Sequence, residues 1–394
     1  MRDRTWLVLP AALVGLVVAL GAGALRLMAL QGWALPGVLV HPVVSHHGEL
    51  MVFAFLAPVI MLERWVATRG FPLHPVAGLL PVAAGAGSLC LTVSRILQFE
   101  PGAAAGTAAL AAAACLYVYV LMVLSRWTAQ PAVMHIMALA AAALLLALAV
   151  TRRVPAAHNL GLTLLLLAFP VLTVLGERIE LGSVLNPKLQ RYAPRMVPLL
   201  AVSVAFFLAG GLAGGSRAGG LILVGGSLLW MAVAAVLARG EVALLRRRGD
   251  ALYRYLSRSV MVAYGWLVLG TLLAAVYGLA PGYQLFDAAS HAVALGFVFG
   301  MILAHAPVIV PALLGKEASW DHLSLWPLAL HSAGTVLRVG GRLASPWLPG
   351  GWSAAAVGLS WIPVAGAALV LGVFLVKGIR AGEKHDTPIV VTVA

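Results

Sequence analysis

The stretch HPVVSHHGELM, from His41 to Met51, sets three histidines, a glutamate and a methionine at the mouth of an otherwise apolar run. Imidazole, carboxylate and thioether are groups that bind transition metals, and imidazole also moves protons. Ionisable side chains in or at the edge of a bilayer span are costly and tend to mark function. A second such place is Ser290-His291, which opens the run SHAVALGFVFGMILAHAPVIVPALLG. The chain has 11 histidines, and they sort by position. His41, His46, His47, His158 and His291 fall at one end of their runs. His74, His135, His322 and His385 fall at the other, where interfacial histidines are ordinary. His305 and His331 lie within runs, as ligands or as hydrogen-bonded fillers of polar gaps between helices. Cys90 and Cys115 sit in apolar surroundings without metal-binding spacing or a CxxCH, which excludes covalent c-type haem. They read as small buried hydrophobes.

The elements that must position these groups are membrane helices. The chain has 394 residues, 62% hydrophobic and 10% charged, with mean hydropathy +1.00. That composition belongs to an integral membrane protein. Spans of ~20 apolar residues are expected at 6–30, 47–66, 73–95, 103–124, 131–150, 158–176, 196–215, 219–238, 259–280, 286–314, 323–342 and 353–377. The fold class is therefore all-α, a polytopic single transmembrane domain over 1–394 with about twelve helices. Continuous rather than alternating apolar runs exclude a barrel. The first run is too long for an ordinary signal peptide. The net charge of +13 is not a nucleic-acid signature, because the basic residues lie between spans. With the N-terminus inside, only Arg26, Arg95, Arg152, Arg153, Arg217, Arg338 and Arg342 of the 26 Lys/Arg fall outside. The positive-inside rule then places both termini in the cytoplasm. The largest inner cluster, Arg239 to Arg258, reads as a membrane-surface loop.

The second, sixth and tenth spans each open with a histidine: His47, His158 and His291. Each carries proline in its lower half, in FLAPVIMLER, LLAFPVLTVLGER and LAHAPVIVPALLG. Two of them continue into Glu63-Arg64 and Glu177-Arg178. Every fourth helix sharing one design suggests three four-helix units about a pseudo-threefold centre.

HGELMVFAFLAP, residues 47–58, resembles the second helix of the catalytic subunit of haem-copper oxidases. There a His-Gly opens the helix, a methionine follows four residues later, and aromatics and a proline come after. The resemblance implies that His47 binds a low-spin haem, with His291 of the tenth span as its partner. It also implies propionate contacts from Arg338 and Arg342. The chain is more closely similar to the NnrS family of twelve-span bacterial haem and copper proteins linked to nitric oxide. Here His47-x-Glu49-x-Met51 with Phe53 and Phe55, and His291-Ala292 with Gly296, Met301, Leu303 and Ala304, are similar to that family's second and tenth helices, with Glu49 where the family has a second histidine. The resemblance implies haem b, possible copper, a bacterial cytoplasmic (inner) membrane, and partners of the kind nitric oxide and an electron donor. Departures from the oxidases are plain. Ala289 stands where the high-spin ligand would be, the seventh span has no histidine, and the sixth lacks His-Pro-Glu-Val-Tyr. Oxygen reduction of the oxidase type is not expected.

The residues themselves fit a flat ligand. Gly48 and Ala292 are small, and Met51 and Phe55 lie below His47 at four-residue spacing, as Leu295 and Phe299 lie below His291. His46, His41 and His158 could form a separate copper-type site, with Glu49 as a further ligand or as an acceptor that fixes a ring tautomer. His331 is a lesser metal candidate. Two other function classes stay open: a secondary transporter, and a metal or haem assembly factor without redox activity. The sequence does not fix the oligomeric state.

Overall fold

The computed structural model describes residues 8–30, 44–68, 71, 73–153, 159–185, 187–245, 251–321 and 323–382. His41, His158, His322, His385 and Arg246 to Arg248 lie outside the described residues. Among the described residues there is no strand, and twelve helices follow one another. They are α1 (Val8–Leu30), α2 (His47–Glu49, Leu50–Leu56 and Ala57–Ala67), α3 (Pro75–Leu79 and Leu80–Ile96), α4 (Glu100–Leu124), α5 (Pro131–Thr151) and α6 (Leu160–Leu185). The second half holds α7 (Pro187–Leu212), α8 (Arg217–Leu245), α9 (Ala251–Leu279), α10 (Tyr283–His291, Ala292–Phe299 and Gly300–Leu314), α11 (Trp326–Leu343) and α12 (Gly350–Leu359 and Trp361–Gly382).

Eleven of these are long and apolar enough to cross a membrane. The exception is α11. Its buried face carries His331, Thr335 and Arg338, while Trp326, Val336 and Leu337 are exposed. A membrane helix turns its polar side toward protein rather than toward lipid. The polarity that lowers its mean hydropathy is thus the polarity of a site.

Neighbouring helices pack in sequence order, and the second, sixth and tenth helices also touch one another. The span in α6 is 89% buried, against 17% for that in α12, so α6 is central and α12 peripheral. Small residues permit close approach. An added Cβ on Gly161 would lie 2.6 Å from the Gly211 backbone, and one on Gly106 2.6 Å from that of Leu91. In lipid such contact replaces the hydrophobic drive between helices.

Two helices depart from regular α geometry. Leu50–Leu56 in α2 and Ala292–Phe299 in α10 are π-helical. Such segments are rare and concentrate at functional sites. They begin three residues after His47 and directly after His291. The widened turn of α2 exposes the Ala54 carbonyl, which accepts the Ser88 hydroxyl at 2.5 Å while α1 approaches at Gly15.

Candidate functional site

The π segments bring the expected haem residues to one place. His47 and His291 lie within electrostatic range of each other, and Phe55 and Phe299 meet below them at 6.0 Å between ring centres. His47, Met51, His291, Leu295 and Phe299 are each only half-buried, although Val52 to Pro58 and Gly296 to Val298 are buried. Below His291 the half-buried residues follow the histidine's stripe, whereas below His47 only Met51 does and Phe55 is buried.

Each imidazole is oriented by a backbone carbonyl. His47 Nδ1 donates to Ala19 O at 2.7 Å, and His291 Nδ1 donates to Asp287 O at 2.8 Å. With Nδ1–H committed, Nε2 of each ring carries the lone pair, the arrangement by which a second group fixes the tautomer of a metal-binding histidine. The His47 ring rests on Gly23, where an added Cβ would stand 2.8 Å from Cε1. Nε2 of His291 receives only a long contact, 3.3 Å, from Arg338 Nη2.

Around the histidines the charge is positive. Arg338 Nη2 donates to Asp287 Oδ1 at 2.8 Å, and Arg342 Nε donates to Oδ2 at 2.8 Å. Arg342 also lies over the Tyr283 ring, 5.3 Å from its centre. Arg26 of α1 is close enough to act electrostatically on both His47 and Arg338. Three guanidiniums thus face one carboxylate, an excess of two positive charges. Arg338 is 7% exposed, yet its Nε and Nη1 are buried without a hydrogen-bond partner. Buried donors of a charged group left unmade are expensive, and a carboxylate-bearing ligand would satisfy them.

Two Nδ1-anchored imidazoles with Nε2 lone pairs, beside the orphaned donors of Arg338, are groups that would take an iron centre and a carboxylate, as a haem carries them.

The other candidates are placed differently. Glu49 is fully engaged: Oε2 lies 2.6 Å from His46 Nδ1, and Oε1 accepts from Arg95 Nη2 at 2.9 Å. That arrangement is the orienting acceptor rather than an open ligand. Among the described residues no group of three His, Cys, Asp or Glu side chains is placed to hold a metal ion. The copper-type grouping of His46 with His41 and His158 turns on two residues outside the described ones. His331 is 1% exposed and turns its ring toward the Leu295 and Gly296 carbonyls, one turn past His291. Neither of its nitrogens has a hydrogen bond of good geometry. His305 is closed off, with Nδ1 2.7 Å from Met301 O and Nε2 2.7 Å from Arg178 Nη1.

Asp287, Arg26, Gly23 and Arg95 were not among the residues the sequence singled out for the site. One signal for Asp287 was readable. It precedes His291 by four residues, and Arg338 precedes Arg342 by four, so two helices each present a one-turn pair of complementary charge. Arg26 and Gly23 carry no such mark, since their roles arise from where α1 packs.

The family described as "Domain of unknown function (DUF8744)" matches residues 4–376. No curated protein and no solved structure matches the chain.

Proposed function

The chain belongs to the DUF8744 family, and we propose that it is a b-type haem protein of the bacterial cytoplasmic membrane, similar to the NnrS family, that transfers electrons or responds to nitric oxide. The observation that supports this reading is that His47 and His291 each commit Nδ1 to a backbone carbonyl, leaving Nε2 as the acceptor, beside the orphaned donors of Arg338. Haem, when bound, supplies one-electron redox chemistry. The protein's residues do the rest. His47 and His291 would bind the iron, the Ala19 and Asp287 carbonyls fix their tautomers, and Arg26, Arg338 and Arg342 would receive the propionates. Met51, Phe55, Leu295 and Phe299 would supply the apolar lining that excludes water.

With both histidines bound to the iron, a small gas would bind only if one of them left. Ala289 is fully buried at the place of a high-spin ligand in the oxidases, and α7 carries no histidine. Slow reaction with carbon monoxide is the expected signature. Copper, if it binds, belongs with His46, His41 or His158. The contacts among α2, α6 and α10 support the finer reading of three four-helix units about a pseudo-threefold axis, and the distribution of Lys and Arg between the spans supports cytoplasmic termini.

The test is a visible spectrum of the purified protein. A sharp reduced alpha band and a pyridine haemochrome of type b are expected. Full-length, folded protein from haem-replete cells that shows no haem would exclude the proposal. Fast carbon monoxide binding with cyanide-sensitive oxygen consumption would instead make the chain an oxygen reductase.

A further inference from the structure

The same three central helices carry a second polar cluster at their other end. Glu63 and Arg64 come from α2, Glu177, Arg178 and Glu180 from α6, His305 from α10, and Tyr117 from α4. Arg64 Nη2 donates to Glu180 Oε2 at 2.9 Å and lies 3.7 Å from Glu177 Oε1. Glu63 directly precedes Arg64 on α2 and lies within electrostatic range of Glu177. Arg178 faces His305, whose charge state follows from its two partners. Nδ1 faces a carbonyl and must donate, and Nε2 faces a guanidinium donor and must accept. The ring is therefore neutral. Three carboxylates then oppose two guanidiniums, one negative charge in excess among these residues.

A second observation points into the cluster. Tyr117 is fully buried, and its hydroxyl has no hydrogen-bond partner. It lies within electrostatic reach of Arg64, Glu177, Glu63 and Glu180. The edge contact with Phe169, 6.3 Å between ring centres, fixes its ring. A phenol can donate to a carboxylate or accept from a carboxylic acid. The Gln130 side chain, which donates to the Glu180 carbonyl at 3.4 Å, leaves its Oε1 buried and unpartnered beside α6.

We propose that Glu63 and Glu177 share one exchangeable proton, forming a proton-binding site between α2 and α6 with the Tyr117 hydroxyl as its hydrogen-bond partner. The step is a protonation only: water at that end of the bundle supplies the proton, one carboxylate becomes a carboxylic acid, and no electron moves. It brings the cluster to neutrality, which two like charges in a low-dielectric site otherwise oppose. Glu180, with 31% of its side chain exposed against 21% for Glu177, is the group through which the proton exchanges with solvent. The proposal shares no residue with the histidine end, so it stands or falls separately from the haem reading.

Infrared spectroscopy of the purified full chain tests it, with or without bound haem. A carboxylic-acid carbonyl band that shifts down in D2O is expected at neutral pH. It should vanish in Glu177→Gln or Glu63→Gln, persist in Glu180→Gln, and move in frequency in Tyr117→Phe, which keeps the ring and its packing. Absence of the band in the wild-type protein overturns the proposal. So does a band that survives both Glu63→Gln and Glu177→Gln, or one unmoved by Tyr117→Phe. Loss of the band on adding sodium chloride, but not choline chloride, also overturns it, since the site would then take a metal cation.

Discussion

The two ends of the α2, α6 and α10 core are built from the same residue types and resolve their charges in opposite ways. At the histidine end, Arg26, Arg338 and Arg342 outnumber Asp287, the imidazoles keep Nε2 open or loosely held, and both helices widen into π segments. At the Glu-Arg end, acids outnumber bases, His305 Nε2 is sealed by Arg178, and the helices are regular. The presence of a histidine therefore does not distinguish a ligand from a structural group. What distinguishes them is the partner of the second ring nitrogen and the sign of the uncompensated charge around it.

The sharpest way to break that contrast is to remove one histidine at each end. On the proposed function, His47→Ala or His291→Ala should abolish haem content, because each would remove one of the two imidazoles that hold the iron. His305→Ala should retain haem and its spectrum. Haem measured by pyridine haemochrome against protein decides the matter. Loss in His305→Ala, or retention in both of the others, would mean the comparison assigns the ends wrongly.

The next largest effect concerns Asp287, 4% exposed and held by two guanidiniums. Arg338→Leu removes the better buried of them. Breaking a buried pair by removing one partner costs about 3–5 kcal/mol. Arg342→Leu should cost clearly less, since Arg342 is the more exposed partner and Arg338 remains. Thermal denaturation in detergent should rank the two variants in that order, and the haem midpoint potential should shift in both. Equal and negligible effects would show that the arginines merely reach toward the lipid headgroups.

Much of this was legible in the sequence. Eleven of the twelve helices follow from apolar run length, and most ends fall within a few residues of those expected. The exceptions are α6 and α7, which run on to Leu185 and back to Pro187, and α8 and α9, which run on to Leu245 and back to Ala251. Those segments carry Glu177, Arg178, Arg191 and Arg195, so hydropathy ends before the helix does. His47, His291, Arg338 and Arg342 were visible as ionisable residues in apolar runs. The π segments were not, because LMVFAFL and AVALGFVF have no local signature for i→i+5 pairing; the widening depends on neighbours such as Ser88. Nor could sequence show that Arg338 and Arg342 share Asp287, a contact across roughly fifty residues. The Glu-Arg repeats were visible as a motif, but their convergence on Tyr117 needed the packing of α4.

Glycines sharpen the same contrast with smaller effects. Gly23 lies against the His47 ring, and Gly48 has nothing within 4 Å of an added Cβ. Gly23→Ala forces either the ring or α1 to move, an overpacking cost of about 1–3 kcal/mol. If His47 binds haem iron as proposed, electron paramagnetic resonance of the oxidised protein should report its rotation. Gly48→Ala should change stability by no more than about 0.5 kcal/mol. An unchanged resonance in Gly23→Ala would show that α1 does not set the His47 orientation.

The smallest expected effect lies at the other end, in Glu180→Gln. Glu180 is the partner Arg64 holds at 2.9 Å, but its side chain is 31% exposed, and Arg64 has Glu177 in reserve at 3.7 Å. Exposed ion pairs contribute about 0–1 kcal/mol, and the amide still accepts a hydrogen bond from the guanidinium. The substitution also removes the excess negative charge, which relieves the repulsion felt by Glu63 and Glu177. The two terms oppose each other, so the thermal midpoint should stay near that of the wild type, with haem content unchanged. Arg64→Leu differs in kind: it strands Glu177 and Glu180 together, with only Arg178 left in the cluster, and should destabilise several-fold more than Glu180→Gln. If the two variants are equally harmful, Arg64 and Glu180 form an isolated pair, and the Glu-Arg end lacks the shared charge set that contrasts it with the histidine end.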